Sequence, residues 1–112
     1  MMMKLATPLV AAMMLSGAAF AKECASEATP PMMPDPATAT ADDRSATIAE
    51  IKAYQAALTP YRDCLTAIAD NKKLEKEERI AANAAFNASV DEEEKVVAAW
   101  QTFDAAWQAA HQ

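Results

Sequence analysis

IKAYQAALTPYRDCLTAI, Ile51–Ile68, carries the clearest hydrophobic periodicity in the chain. Its large apolar residues recur in alternating steps of three and four. Ile51, Leu58 and Leu65 fall on one line, and Tyr54, Tyr61 and Ile68 on the line beside it. That is a heptad seam, the signature of a helix that buries one stripe against another helix. Pro60 interrupts it. A proline inside a helix removes the hydrogen bond to the carbonyl four residues back, here Ala56, and a kink is expected there. The alternative is a break, with Thr59 capping a new helix that starts at Pro60. The seam keeps its phase through Pro60, which favours the kink. Upstream, Asp42 and Asp43 read as the N-terminal cap, so the first helix is expected over about 42–70.

Outward from this stretch, DNKKLEK (Asp70–Lys76) is polar and fits a short turn. Asn71 is expected to close the first helix in the left-handed conformation. The chain beyond is rich in alanine and other strong helix formers, which predicts a second helix over about 75–110. Its seam is weaker: Ile80, Ala84, Phe86, Val90, Val97, Trp100, Phe103 and Trp107. SVDE, Ser89–Glu92, matches a capping box and would allow a restart, but one continuous helix is the better reading. A short connection makes the two helices antiparallel neighbours. Folding about residues 72–73 sets Leu65 near Ile80, Leu58 near Phe86 and Asn87, and Ile48 near Val97. Trp107 then lies past the first helix, opposite Ala37 and Thr38. No strand pattern is present, so the fold class is all-α: a long, coiled-coil-like antiparallel hairpin over 42–112.

The N-terminal segment reads differently. MMMKLATPLVAAMMLSGAAFA has a basic start at Lys4, an apolar run at Leu9–Leu15, and a small-residue cleavage signature at Ala19 and Ala21. This is the anatomy of a secretory signal peptide over residues 1–21. The apolar run is shorter than the about 20 residues that span a bilayer, and no later stretch qualifies. Removing residues 1–21, and Lys4 with them, takes the formal charge from −6 to −7. An acidic surface repels nucleic acid and anionic lipid, so neither a nucleic-acid partner nor a membrane span is expected in the mature chain. The expected address is periplasmic or secreted.

Residues 22–41 form a proline-rich arm with Pro30, Pro31, Pro34 and Pro36. It starts beside Cys24, and the only other cysteine is Cys64, inside the first helix. Two cysteines in an oxidising compartment have one internal connectivity, Cys24–Cys64. The reach allows it. Cys64 lies about 32 Å along the helix from the expected cap, and a polyproline-like tether over residues 25–41 spans about 50 Å. The arm is therefore expected to run back along the hairpin and be stapled to its middle. It would cover Trp107, and opening the staple would expose the aromatic cluster.

The layout resembles a set of short exported helical proteins of Gram-negative bacteria whose function is unknown. The shared features are an early cysteine with spaced prolines (Cys24, Pro31, Pro34-Asp35), a tyrosine before a Cys-Leu pair (Tyr61, Cys64-Leu65), and an Asn-Ala-x-Val-Asp run (Asn87, Ala88, Val90, Asp91). Phe86 stands where that pattern has tyrosine. The resemblance implies a disulfide and a periplasmic address, and it implies no activity.

Residues able to carry chemistry are sparse. His111 is the only histidine and the penultimate residue, a poor place for a general base. Ser26, Ser45 and Ser89 have neither a nucleophile elbow nor a histidine partner. Asp91–Glu94 reads as a solvated acidic face and Met32-Met33 as packing, with divalent or copper(I) binding as the minor alternatives. Asn87-Ala88-Ser89 is a glycosylation sequon, meaningful only in a eukaryotic secretory route. No catalytic, cofactor or metal residues are assigned. The feature with most content is the aromatic stripe Trp100, Phe103 and Trp107, spaced to share one helix face. It is either core or, if uncovered, a surface for a protein partner or for self-association. The expected function is that of a small exported, non-catalytic interaction or scaffold protein. The alternative is a metal-binding or metal-buffering protein.

Overall fold

The computed structural model describes residues 24–26 and 28–112; the expected signal peptide lies outside them. Two helices, α1 (Ala41–Ala69) and α2 (Lys76–Ala110), pack against each other as a hairpin, and no strand occurs among the described residues. A disulfide joins Cys24 of the N-terminal arm to Cys64 of α1.

The start of α1 departs from expectation by two to three residues. The cap is Thr40, not Asp42 or Asp43. Its hydroxyl accepts from Asp43 N–H at 3.0 Å, and the Asp43 carboxylate accepts from Thr40 N–H at 2.9 Å. This reciprocal box satisfies two otherwise orphaned donors. Asp42 and Asp43 instead occupy the first turn, where their charge complements the helix dipole. α1 then runs unbroken through Pro60. Pro60 and Ala56 both lie on the exposed face, where water can replace the donor that proline lacks.

The helix ends without a left-handed residue. Asp70 takes φ −91° and ψ −5°, and no described non-glycine residue has positive φ. Asn71 works through its side chain instead: Oδ1 accepts from Lys73 N–H at 3.0 Å, while its carbonyl accepts from Leu74 N–H at 3.1 Å. This Asx-type turn needs no αL residue. Leu74 packs back onto the core. The reversal is thus set by a turn of its own and not by a tight fold at residues 72–73, and the register moves by about one helical turn. Gln55 meets Glu93, Arg62 meets Ser89 and Arg44 meets Asp104.

The α1 side of the seam is buried largely as its heptads require: Tyr54, Leu58, Leu65 and Ile68 are buried, with Thr47 one heptad upstream. The α2 side shares only Phe103 with the expected line. Its buried residues are Ala82, Ser89, Val96 and Phe103, an unbroken seven-residue repeat. Ile80 and Val97 are 56% and 37% exposed, on the outside of the hairpin. A small residue at Ala82 allows close approach beside the staple, where Cys24, Leu65 and Ile68 pack. Tyr54, Leu58 and Val96 form the second cluster, covered by Ala28 and Met33 of the arm. The arm is therefore the third layer over a core that two helices alone would leave thin.

Candidate functional site

Three arrangements hold this molecule together and carry its polar chemistry: the staple, a cross-hairpin network around Arg62, and the aromatic end.

At the staple the Cα atoms of Cys24 and Cys64 are 5.6 Å apart, closing a separation of 40 residues. From the buried Cys24 the arm runs antiparallel to α1. Ala28 and Met33 reach the seam. Met32 beside it is 87% exposed, so the two thioethers do not converge. The arm ends in a tight turn at Asp35. Its carboxylate accepts from Ala37 N–H at 2.9 Å, and its carbonyl accepts from Thr38 and Ala39 N–H at 3.2 and 2.9 Å. Ala39, 3% exposed, then delivers the chain to the Thr40 cap.

Midway along the hairpin, Arg62 of α1 reaches across to α2. Its guanidinium donates to Ser89 Oγ and Ser89 O at 2.9 and 3.0 Å and pairs with Glu93 at 2.9 Å. It also lies 5.9 Å from the centre of the Phe86 ring. Gln55 donates to the same Glu93 at 3.0 Å. Glu93 is thus the member of the acidic run that turns inward, while Asp91, Glu92 and Glu94 are exposed. Ser89 of the sequon is buried and its hydroxyl donates to Phe86 O at 2.7 Å. Beside this network the Tyr54 hydroxyl is buried with no hydrogen-bond partner. Burial, and then the nearby Glu92 and Glu93 charges, push its pKa above the ordinary 10.0, with Arg62 opposing. Tyr54 therefore stays protonated at neutral pH.

At the open end the aromatic stripe divides. Phe103 is core, 3% exposed. Trp100 and Trp107 are partly buried. The Arg44 guanidinium carbon lies 5.3 Å from the Trp100 ring centre and 5.2 Å from that of Trp107. Arg44 also pairs with Asp104 at 2.7 Å. Trp107 donates its indole N–H to Ala39 O at 2.9 Å. Trp107 thus meets α1 through Arg44 as well as the end of the arm, because the shifted register brings the first turn of α1 level with it. His111 stacks on Trp107 with ring centres 4.3 Å apart, and its Nδ1 lies 2.8 Å from Trp107 O. Its ring is occupied as a lid on the helix end. The arm's hold on Trp107 comes from the Asp35 turn and the Thr40 cap. The staple at the far end does not supply it, so release of the cluster on reduction is no longer expected.

Arg44, Arg62 and Tyr54 did not stand out as functional residues in the sequence. A signal was present: Arg44 continues the line of Ile51, Leu58 and Leu65 one heptad upstream. Among the described residues no group of three or more His, Cys, Asp or Glu side chains is placed to hold a metal ion, and no helix is long and apolar enough to cross a membrane. Neither a protein-family model, nor a curated protein, nor a solved structure matches the chain significantly.

Proposed function

We propose that this chain is a small exported, non-catalytic interaction protein, periplasmic or secreted, that works through the open end of its hairpin. The carrying observation is the pair Trp100 and Trp107. Both remain partly exposed while Arg44, Asp104 and Ala39 hold them in place. Pre-positioned tryptophan offers large contact area at little ordering cost, which is why it dominates binding hot spots. The signal-peptide pattern, the staple and the resemblance to short exported helical proteins support the address.

Native mass spectrometry of the protein from a periplasmic extract tests this reading. The expected species is a complex with a protein partner or a second copy, lost in a Trp100→Ala/Trp107→Ala variant that retains its helix content. A bound metal ion without bound protein points to the metal-buffering alternative. A bare monomer that stays bare across concentrations overturns the interaction reading.

A further inference from the structure

The buried line of α2 starts with small residues, Ala82 and Ser89, before Val96 and Phe103. A second seven-residue repeat runs beside it, three positions earlier at each step: Arg79, Phe86, Glu93, Trp100 and Trp107. Every member is partly buried. Val90 and Val97 flank this second line, and Val97 is 37% exposed. The second line therefore carries larger apolar side chains than the line that packs on α1. A helix buries an apolar stripe against another element, and α1 accounts for the first stripe only.

The arm does not cover the second. It shares its hollows with Ala85, Ala99 and Ala106, each three positions after a member of the buried line. Steps of plus three and minus three leave a helix on opposite sides of that line. The second stripe thus faces away from the arm. On α1 the matching side carries Ile48, Gln55 and Arg62, one heptad apart, and Ile48 is partly buried as well.

We propose that this strip is the seam of a homodimer, in which two hairpins pack face to face and antiparallel as a four-helix bundle, with the two-fold axis passing between Val90 and Glu93. The inference rests on the interaction reading above and names its partner as a second copy. Charge is the first reason. The chain has a formal charge of −6, so most of its surface repels a copy of itself. On the strip, however, Glu93 is already paired with Arg62 and Asp104 with Arg44. Arg79, by contrast, has a buried Nε with no hydrogen-bond partner. Across a two-fold axis, residues equidistant from it meet reciprocally. Arg79 then lies level with the second copy's Asp104, and Phe86 with the second copy's Val97. A cation meets a carboxylate at each end, and apolar residues meet between them.

Area is the second reason. From Arg79 to Trp107 the strip is about 42 Å long, and two packed helices are about 20 Å wide. That offers about 800 Å² per copy, the share each partner gives to a stable interface of standard size.

Sedimentation equilibrium of the oxidised protein over a range of concentrations tests the proposal. The expected result is a monomer–dimer equilibrium in the micromolar range or tighter. Val97→Glu, at a position exposed in the single hairpin, weakens the dimer at least about tenfold. Ile80→Glu adds the same charge at a more exposed apolar residue off both lines and leaves the dimer within about twofold. Arg79→Glu weakens it at low salt, and high salt narrows the difference. Circular dichroism checks that each variant keeps its helices. A protein that stays monomeric at every concentration overturns the proposal. The interaction reading survives that result if native mass spectrometry still finds another protein held through the tryptophans. A dimer that Val97→Glu leaves intact, or that Ile80→Glu weakens equally, has its seam elsewhere and overturns the proposal too. A dimer indifferent to Arg79→Glu overturns the antiparallel pairing.

Discussion

Trp107 and Ala39 are joined by an indole N–H···O=C bond of 2.9 Å, which ties the last turns of α2 to the residue just ahead of the α1 cap. The carbonyl it satisfies belongs to a residue that is 3% exposed. Removing the donor leaves that oxygen without its partner, at a cost of about 1 kcal/mol or more. Trp107→Phe, which keeps an aromatic ring, is therefore expected to lower the melting temperature by about 4–8 °C. Trp100→Phe removes no such bond and should cost less. Equal losses in thermal melts of the two variants would show that ring size, not the bond, is what matters.

The same bond sets an expectation for reduction. Ala39 is placed by the Asp35 turn and the Thr40 box, local devices at the opposite end of the arm from the staple. Opening Cys24–Cys64 should free the arm around Ala28 and leave Trp107 in place. Tryptophan emission of the reduced, still helical protein should stay near that of the oxidised form. A red shift approaching that of the unfolded chain would mean that the aromatic end depends on the staple after all.

Arg44 is a planar cation in contact with two indoles and one carboxylate at once. Lysine keeps the charge and loses the flat surface and the fork of donors. Arg44→Lys is expected to destabilise by about 1 kcal/mol through lost stacking and the lost second donor to Asp104. Adding high salt, which screens the partly exposed ion pair, should not erase the difference. If lysine proves as stable as arginine in denaturant unfolding, neither the stacking nor the second donor contributes, and a single charge paired with Asp104 is the whole interaction.

Tyr54 supplies a pH dependence whose sign follows from its environment. Its pKa in the fold lies above the ordinary 10.0, chiefly through burial. Above that ordinary value the unfolded chain releases the phenol proton while the folded chain retains it, so stability falls as pH rises. The contribution is fully present below pH 10.0 and is lost on the way up through the folded value. Tyr54→Phe has no proton to lose at this site and should show a shallower decline in alkaline unfolding titrations. Parallel curves for the two proteins would contradict the assigned burial of the hydroxyl.

The helical hairpin was legible because α1 writes its seam in large residues. Tyr54, Leu58, Leu65 and Ile68 carry a periodicity that nothing else on that helix competes with. The seam of α2 was legible only at its aromatic residues, Phe103 in the core and Phe86 packed against it, and the rest was missed for a physical reason. Where helices approach closely a small residue is as good as a large one, so the buried line uses Ala82 and Ser89, which hydropathy cannot distinguish from the many exposed alanines. Ile80 and Val97 then drew the reading to the wrong face. The register slipped with it, and Arg62 escaped notice, since its role depends on which α2 residue lies opposite. The staple was legible because two cysteines leave one internal pairing. The Thr40 cap was hidden behind two aspartates that are good first-turn residues in their own right. The unpaired Tyr54 hydroxyl was invisible in principle: only the absence of a neighbour defines it.

The staple carries the largest single expectation for stability. It closes a separation of 40 residues, and in the chain-entropy treatment such a loop restricts the unfolded state by about 4 kcal/mol. A domain of this size has about 5–15 kcal/mol in total, so the bridge is a large share. Its loss also weakens the folded side. Cys24 is buried in a cluster with Leu65, Ile68 and Ala82, and among the described residues no hydrogen bond ties residues 28–34 of the arm to the helices. Met33 and Ala28 would then leave the second cluster uncovered. Replacing both cysteines, as Cys24→Ser/Cys64→Ser, avoids leaving a free thiol able to pair between molecules. The double variant is expected to melt more than about 10 °C lower than the oxidised protein, with a broader transition because the arm no longer unfolds with the hairpin. Its helix content at low temperature should fall only slightly, since the Thr40 cap of α1, the Arg62 network and the Arg44–Asp104 pair do not involve the arm's tip. A melting temperature within about 2 °C of the oxidised protein would mean that the arm's apolar contacts hold it without a covalent bond, and that the third layer is self-sufficient.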